Sequence, residues 1–372
     1  MEQWKEYKLG DVLCIKYGKD HKLLASGSIP IYGSGGIMRY ADRSIYEGPS
    51  ILIPRKGSLN NIMYSDKPFW TVDTMFWTTI NEKIANPKYL YYLLSKKDFA
   101  SLNVGSAVPS LTVPVIENIH ITLPTKSVQD KVVSLLSSLD DKIELNRRIN
   151  DNLEQQAQAL FKSWFVDFEP WGGKMPNDWK EGNAEDFFEI NIGKTPPRKE
   201  KEWFSTSSND TIWVSISDMG ESGLFISSSS ERLTKEAIKR FNIIMVPKNT
   251  ILLSFKLTVG RTAIAQTELT TNEAIARFIL PDVKYREYLY LLLSNYNYSR
   301  LGSTSSIATA VNSKIIKGMQ IVMPTKDVIE RFNEKTKALF NQISNNQRES
   351  ARLASIRDTL LPKLMSGELK IS

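Results

Sequence analysis

The side chains best suited to covalent or metal chemistry are scarce. Histidine occurs only at His21 and His120, and cysteine only at Cys14. Zinc needs several clustered nitrogen or sulfur ligands, and three such residues scattered over one third of the chain do not supply them. His120 lies in Ile-His-Ile-Thr-Leu, a strand-like run in which it is a tolerated strand residue, replaced by Gln320 in a matching run. Gly193-Lys194-Thr195 has the ending of a phosphate-binding loop, but that loop needs a glycine five residues earlier, where Phe188 stands. Pro196-Pro197 then follows, which is hostile to the helix such a loop must open.

Asn86-Pro87-Lys88-Tyr89 is close to the Asn-Pro-Pro-Tyr turn that cradles a target amine in amino-methyltransferases. Lys88 replaces the second proline and no glycine-rich cofactor loop precedes it, so the stretch reads better as a helix start, with Asn as cap and Pro at the first position. No catalytic residue and no metal ligand is assigned. The chain is expected not to be an enzyme.

The elements that position side chains come next. The 372 residues are 41% hydrophobic and 24% charged, enough for two domains with real cores. No apolar run reaches the ~18–20 residues that would cross a bilayer. The opening MEQWKEYKLG lacks the apolar core of a signal peptide. With a single cysteine, a reducing compartment and a cytoplasmic location are expected. The net charge of +7 is spread along the chain and is compatible with a polyanionic partner without demanding one.

The chain is written twice. At an offset of 200 residues, Leu-Pro-Thr-Lys at 123–126 returns as Met-Pro-Thr-Lys at 323–326, and Leu139, Ile143, Asn146, Leu153 and Leu160 return as Leu339, Ile343, Asn346, Leu353 and Leu360. KYLYYLLS at 88–95 answers EYLYLLLS at 287–294, and ILIPRKGS at 51–58 answers ILLSFKLT at 251–258. The openings match at an offset of 175: Trp4-Lys5-Glu6 with Trp179-Lys180-Glu181, and Gly18-Lys19 with Gly193-Lys194. About 25 extra residues therefore sit in the second copy. Collinear blocks of this kind mark a tandem duplication.

Each copy begins with a mixed region. Short strands are expected at Ile51–Ile53, Ile119–Leu123, Ile251–Leu253 and Met319–Met323, and one helix around 87–95 and 285–294. A long helix follows, opened by capping boxes at Ser127/Asp130 and Asp327/Glu330 and unbroken by Gly or Pro until Pro170 or Pro362. The spacing 139, 143, 146, 150, 153, 157, 160, 164, repeated 200 residues on, is a heptad seam. Either each helix packs on its own domain, or the two copies pack on each other; one shared seam of equal length favours the second. Asn146 and Asn346 then occupy equivalent seam positions, where they fix register or, alternatively, face a solvated edge.

With the Trp-Lys openings, the Gly-Lys turns, the Pro-Thr-Lys helix starts and the closing Leu-Leu-Pro-Lys-Leu-Met-Ser-Gly-Glu-Leu of 360–369, the whole chain resembles the specificity subunits of type I restriction–modification systems. The resemblance implies an α+β fold of two pseudo-symmetric α/β target recognition domains separated by an antiparallel two-helix coiled coil. The corresponding boundaries are 1–125 and 173–325 for the domains and 126–172 and 326–372 for the helices. It implies double-stranded DNA as partner, each domain reading one half of an asymmetric bipartite target. It also implies a prokaryotic cytoplasmic complex with two modification subunits, which use S-adenosylmethionine to methylate adenine, and restriction subunits driven by ATP and Mg. None of these cofactors is expected on this chain. A stand-alone DNA methyltransferase and a scaffold that never touches DNA are the alternatives.

Under that reading the loops should offer Arg or Lys to guanine, Asn or Gln to adenine and Ser or Thr to either. The candidates in the first domain are Lys19, Tyr32, Ser34, Arg39, Arg55, Lys56, Ser58, Asn60 and Asn61. In the second they are Lys194, Arg198, Lys199, Lys256, Thr258, Arg261, Ser303, Thr304, Ser305 and Ser306. Phosphate contact is the competing role for each of them. It suits Lys56 and Lys256 best, because they recur after matching strands. Gly18 and Gly193 are expected to serve tight turns.

Overall fold

The structure is a computed structural model that describes residues 4–105, 107–301 and 311–371. It divides into two compact units, one formed by the chain up to Lys142 together with Arg352 onward, the other by Ile143–Ala351. Both boundaries fall inside the long helices, Lys126–Phe165 and Lys326–Met365, of 40 residues each. No helix among the described residues is long and apolar enough to cross a membrane.

In the first unit a four-stranded antiparallel sheet runs Leu13–Tyr17, Met75–Ile80, Ser50–Pro54, Met63–Ser65. Ser-Ile-Leu-Ile-Pro is buried at every position, as a strand covered on both faces must be. The hairpin Ile29–Gly33/Gly36–Ala41 joins Trp70–Thr71 in a smaller sheet. The helix Pro87–Leu94 starts where the Asn-Pro-Lys-Tyr stretch predicts, with the Asn86 side chain accepting from the backbone of Lys88 and Tyr89.

The second unit repeats the plan. Its sheet runs Glu189–Ile192, Ile275–Ile279, Ile251–Ser254, Thr262–Ala265, extended by Phe225–Ile226. A second four-stranded sheet orders Phe204–Ser205, Arg232–Leu233, Thr211–Val214 and Thr270–Thr271; its parallel pair Trp213–Val214/Thr270–Thr271 answers Ile31–Tyr32/Trp70–Thr71 of the first unit. The two sets of sequence matches, at offsets 175 and 200, are partners in one ladder. Lys5–Lys8 pairs with His120–Leu123 in the first unit, and Lys180–Asn183 with Gln320–Met323 in the second.

Both long helices begin two residues earlier than the expected boxes allow. The first intrahelical bond runs from the Gln129 amide to the Thr125 carbonyl, and Ile329 does the same to Thr325. Thr125 and Thr325 are therefore the caps, and Ser127 and Asp327 lie inside the first turn. The acids assigned to the boxes have other partners. Asp130 accepts from Asn86 and Lys126, and Glu330 accepts from Lys284 at 2.7 Å. Burial alone would raise the Asp130 carboxyl, but those two donors outweigh it and hold the pKa below the usual value. Gln129 is fully buried: its amide oxygen accepts from the Asn86 backbone, and its nitrogen reaches the carbonyls of Ile84 and Pro124.

The far ends also differ from expectation. The first helix stops at Phe165, short of 172, where Phe168 takes a left-handed conformation ahead of the turn at Glu169–Trp171. Phe165 packs on Phe332 and Tyr288 with ring centroids 4.8 and 4.9 Å apart, a clamp of edge-on aromatics. The second helix continues through Pro362 to Met365, because a proline in the last turn gives up little beyond its own donor. Gly367, at φ 74°, then ends it against the Trp4 indole, where any Cβ would collide.

Candidate nucleic-acid interface

The Gly-Lys turns are built alike in both units. Gly18 donates to the Met75 carbonyl and Lys19 to Thr71; Gly193 donates to Ile275 and Lys194 to Thr271, all at 2.9–3.1 Å. Neither glycine has a positive φ, so left-handed freedom is not what these positions use. They are there because the chains touch. A Cβ on Gly18 would stand 2.0 Å from the Val72 carbonyl oxygen, and one on Gly193 1.9 Å from that of Asn272. An indole N–H caps each turn from a different element, Trp70 on the Lys19 carbonyl and Trp213 on that of Lys194.

Two neighbouring loops gather most of the first-unit candidates. Asn61 donates to the Ser34 carbonyl at 2.8 Å, and Gly57, at φ 90°, lies against the Ser34 hydroxyl. Lys56 and Ser58 are exposed beside them in sequence, and Lys19 is exposed in its own turn. Others are committed to the fold. The Arg39 guanidinium is held by His21 and by the Leu24 carbonyl, so it braces the loop 19–24. Arg55 reaches the Asp73 carbonyl and lies 5.4 Å from the Tyr17 ring. Asn60 bridges Asp98 and the Ala100 amide, and Tyr32 packs edge-on against Phe69, where burial raises its pKa.

In the second unit, Lys194 donates to the Phe241 carbonyl at 2.6 Å. Arg198 pairs with Glu231 at 2.8 Å while lying over Phe204 and Trp213. Arg261 donates to the Ile216 carbonyl and anchors the loop between Ile251–Ser254 and Thr262–Ala265. Lys199, Lys256 and Thr258 are exposed. Ser303, Thr304, Ser305 and Ser306 lie outside the described residues. Two features went unseen in the sequence. Leu257, between Lys256 and Thr258, is 98% exposed with φ 59°. Lys248, Arg286 and Arg348 converge on a cleft of about 620 Å³, from three separate segments that no spacing rule joins.

The long helices bury both seam asparagines. Asn146 is fully buried and Asn346 is 5% exposed, so the solvated-edge alternative does not hold. Within the second unit the Asn146 amide donates to Glu349 at 2.8 Å and to Ser350, and the Asn346 amide donates to Asn150 at 2.8 Å. The rising and falling residue numbers make this contact antiparallel. In the first unit Asp140 meets Arg357 at 2.8 Å and accepts from the Tyr92 hydroxyl. Burial first, and then the carboxylate itself, push that hydroxyl's pKa up. Leu139, Ile143, Leu153, Leu160, Leu339, Leu353 and Leu360 are half-buried, and Ile343 is buried.

The sequence matches the family model described as type I restriction modification DNA specificity domain over residues 1–155 and 176–354. The chain belongs to that family. It is a DNA-specificity protein rather than a catalytic one. It is 24% identical over 464 aligned positions to the HindI specificity subunit of Haemophilus influenzae, covering 99% of this chain and all of the relative. To the MjaIX specificity subunit of Methanocaldococcus jannaschii it is 26% identical over 350 positions, covering 88% and 79%. The fold resembles the crystal structure of a type I S subunit from M. genitalium, with TM-score 0.58 at 16% identity over 98% of this chain and 96% of that one. The two matched segments of the specificity-domain model correspond to the two copies read from the sequence.

Proposed function

We propose that this chain is the address-reading subunit of a type I restriction–modification complex in a prokaryotic cytoplasm. Each unit reads one half of an asymmetric bipartite target in double-stranded DNA. The long helices pair as an antiparallel coiled coil that sets the unread spacing and offers the docking surface for two modification subunits and for restriction subunits. S-adenosylmethionine, ATP and Mg belong to those partners. One observation carries the reading: an identical pair of Gly-Lys turns, held by identical backbone bonds, presents loops of different sequence in the two units. A common scaffold with divergent loops is what two different half-sites require.

Methylation-sensitive sequencing of host DNA, with and without the gene, tests this. A two-part asymmetric motif that disappears with the gene supports it, and an unchanged methylome sinks it. A stand-alone methyltransferase would instead methylate DNA as the purified chain with no partner.

Two further results are expected. Lys56→Ala or Lys256→Ala should weaken binding equally on all sequences and flatten the log K against log[salt] slope by about 0.9 for each phosphate the protein no longer neutralises. A change in which bases are preferred would reassign that lysine to base reading. Asn146→Leu with Asn346→Leu should raise stability by about 2 kcal/mol in urea unfolding, because leucine gains apolar burial. Of the partners, Glu349 and Gln342, which donates to the Asn346 side-chain oxygen at 2.7 Å, are exposed, and Asn150 and Ser350 are half-buried, so all four can turn to water. The same variant should lose a unique register and methylate targets of more than one spacing. Unchanged spacing would remove the register role and leave the stability effect standing.

A further inference from the structure

Leucine at position 257 has no function inside the fold. Its side chain is 98% exposed, and its backbone sits at φ 59°, a left-handed conformation that branched or bulky L side chains rarely adopt. The matching position in the first copy is Gly57, at φ 90°. The left-handed residue therefore belongs to the shared loop plan, and glycine satisfies it without strain. The second copy carries a large apolar side chain there instead.

The loop around it is locked. The Ser254 hydroxyl donates to the Thr258 carbonyl and accepts from the Arg261 amide at 3.0 Å, and Gly260 donates to the Ser254 carbonyl at 2.9 Å. Arg261 is itself tied to Ile216. Strain persists where surroundings over-determine it, and such places are typically binding sites. The result is a fixed hairpin tip that holds one apolar group in water, with an exposed cation before it and an exposed hydroxyl after it.

We propose that Leu257 reads a base: it meets the C5-methyl group of a thymine in the major groove of the half-site bound by the second unit. This deepens the proposed function and rests on it. Leucine offers no donor or acceptor, so it can discriminate only by apolar contact. The apolar group that a base pair displays in the major groove is the thymine methyl. Lys256 would hold the neighbouring phosphate. The first unit, with glycine at this position, makes no such contact.

The test uses the full chain in complex with its modification subunits and the duplex found by methylation sequencing, at fixed salt. Wild type and Leu257→Gly are titrated on that duplex, and on versions with deoxyuridine replacing each thymine of the second half-site in turn. Wild type should lose about fourfold at one position, the worth of one buried methyl group. The glycine variant should bind about tenfold or more weakly and be indifferent to that replacement. Its melting temperature should be equal or higher, since glycine relieves the strain, so weak binding cannot be laid to misfolding. Equal binding by both proteins overturns the inference. So does a half-site without thymine, or a wild type indifferent to deoxyuridine everywhere, the pattern of a wedge between bases. A wild-type complex that does not prefer its target over a scrambled duplex sinks the proposed function itself, and this is read first.

Discussion

A chain with one extra heptad in each long helix, inserted at 142/143 and 351/352, should methylate the same two half-sites at a longer spacing. Seven residues add about 10 Å of helix, which is about three base pairs by rise alone. Counting the turn of the duplex, about 35° per pair, the favoured change is two to three. The insertion points are the boundaries between the two units. Asp140 therefore keeps Arg357, and Asn150 keeps Asn346, because both members of each pair lie on the same side of the insertions. A full heptad also leaves the seam in phase. Sequencing the methylome of a host carrying the variant reads both outcomes at once. Altered half-sites, or an unaltered spacing, would contradict a helical ruler. Extending only one helix forces the other to bulge or slip, and methylation should then fall sharply.

Gly193→Ala should destabilise the second unit by about 3 kcal/mol, the upper end for overpacking. The added carbon would sit 1.9 Å from the Asn272 carbonyl oxygen and 2.2 Å from the Thr271 hydroxyl oxygen. The Asn272 atom is backbone and cannot swing aside, so the strand has to move and takes the Lys194 turn with it. Gly18→Ala should do the same to the first unit through the Val72 carbonyl. Calorimetry reads both, and an unfolding free energy within about 0.5 kcal/mol of wild type would show that these contacts relax cheaply. By contrast, Gly35→Ala meets nothing within 4 Å and should be nearly silent.

Much of this organisation was legible in the residues. The duplication announced the strand ladder that recurs in both units, and Asn-Pro announced the helix at Pro87. Those signals are local or periodic, and periodicity survives folding. Partnership across the fold was not legible. Ser127 looked like a cap, yet the helix starts from Thr125, because Asn86 and Lys126 claim the Asp130 carboxylate that a box would need. Arg39 and Arg261 read as free cations, but each is occupied by backbone carbonyls brought in from another loop. Gly18 read as a turn glycine, since sequence shows that a side chain is missing but not what it would have struck. Leu257 went unnoticed because neither exposure nor a left-handed backbone can be read from a residue type.

The bonds that hold the two Gly-Lys turns run between backbone atoms, Gly18 to Met75 and Lys19 to Thr71, with their counterparts in the second unit. Peptide groups are the same in every residue. Side chains on the flanking loops can therefore drift without disturbing the geometry that presents them, provided the glycine stays. Such a molecule separates into a backbone-held chassis and a set of loops whose side chains it does not constrain. Exchanging the loops of one unit would therefore change what that unit presents while leaving its support intact.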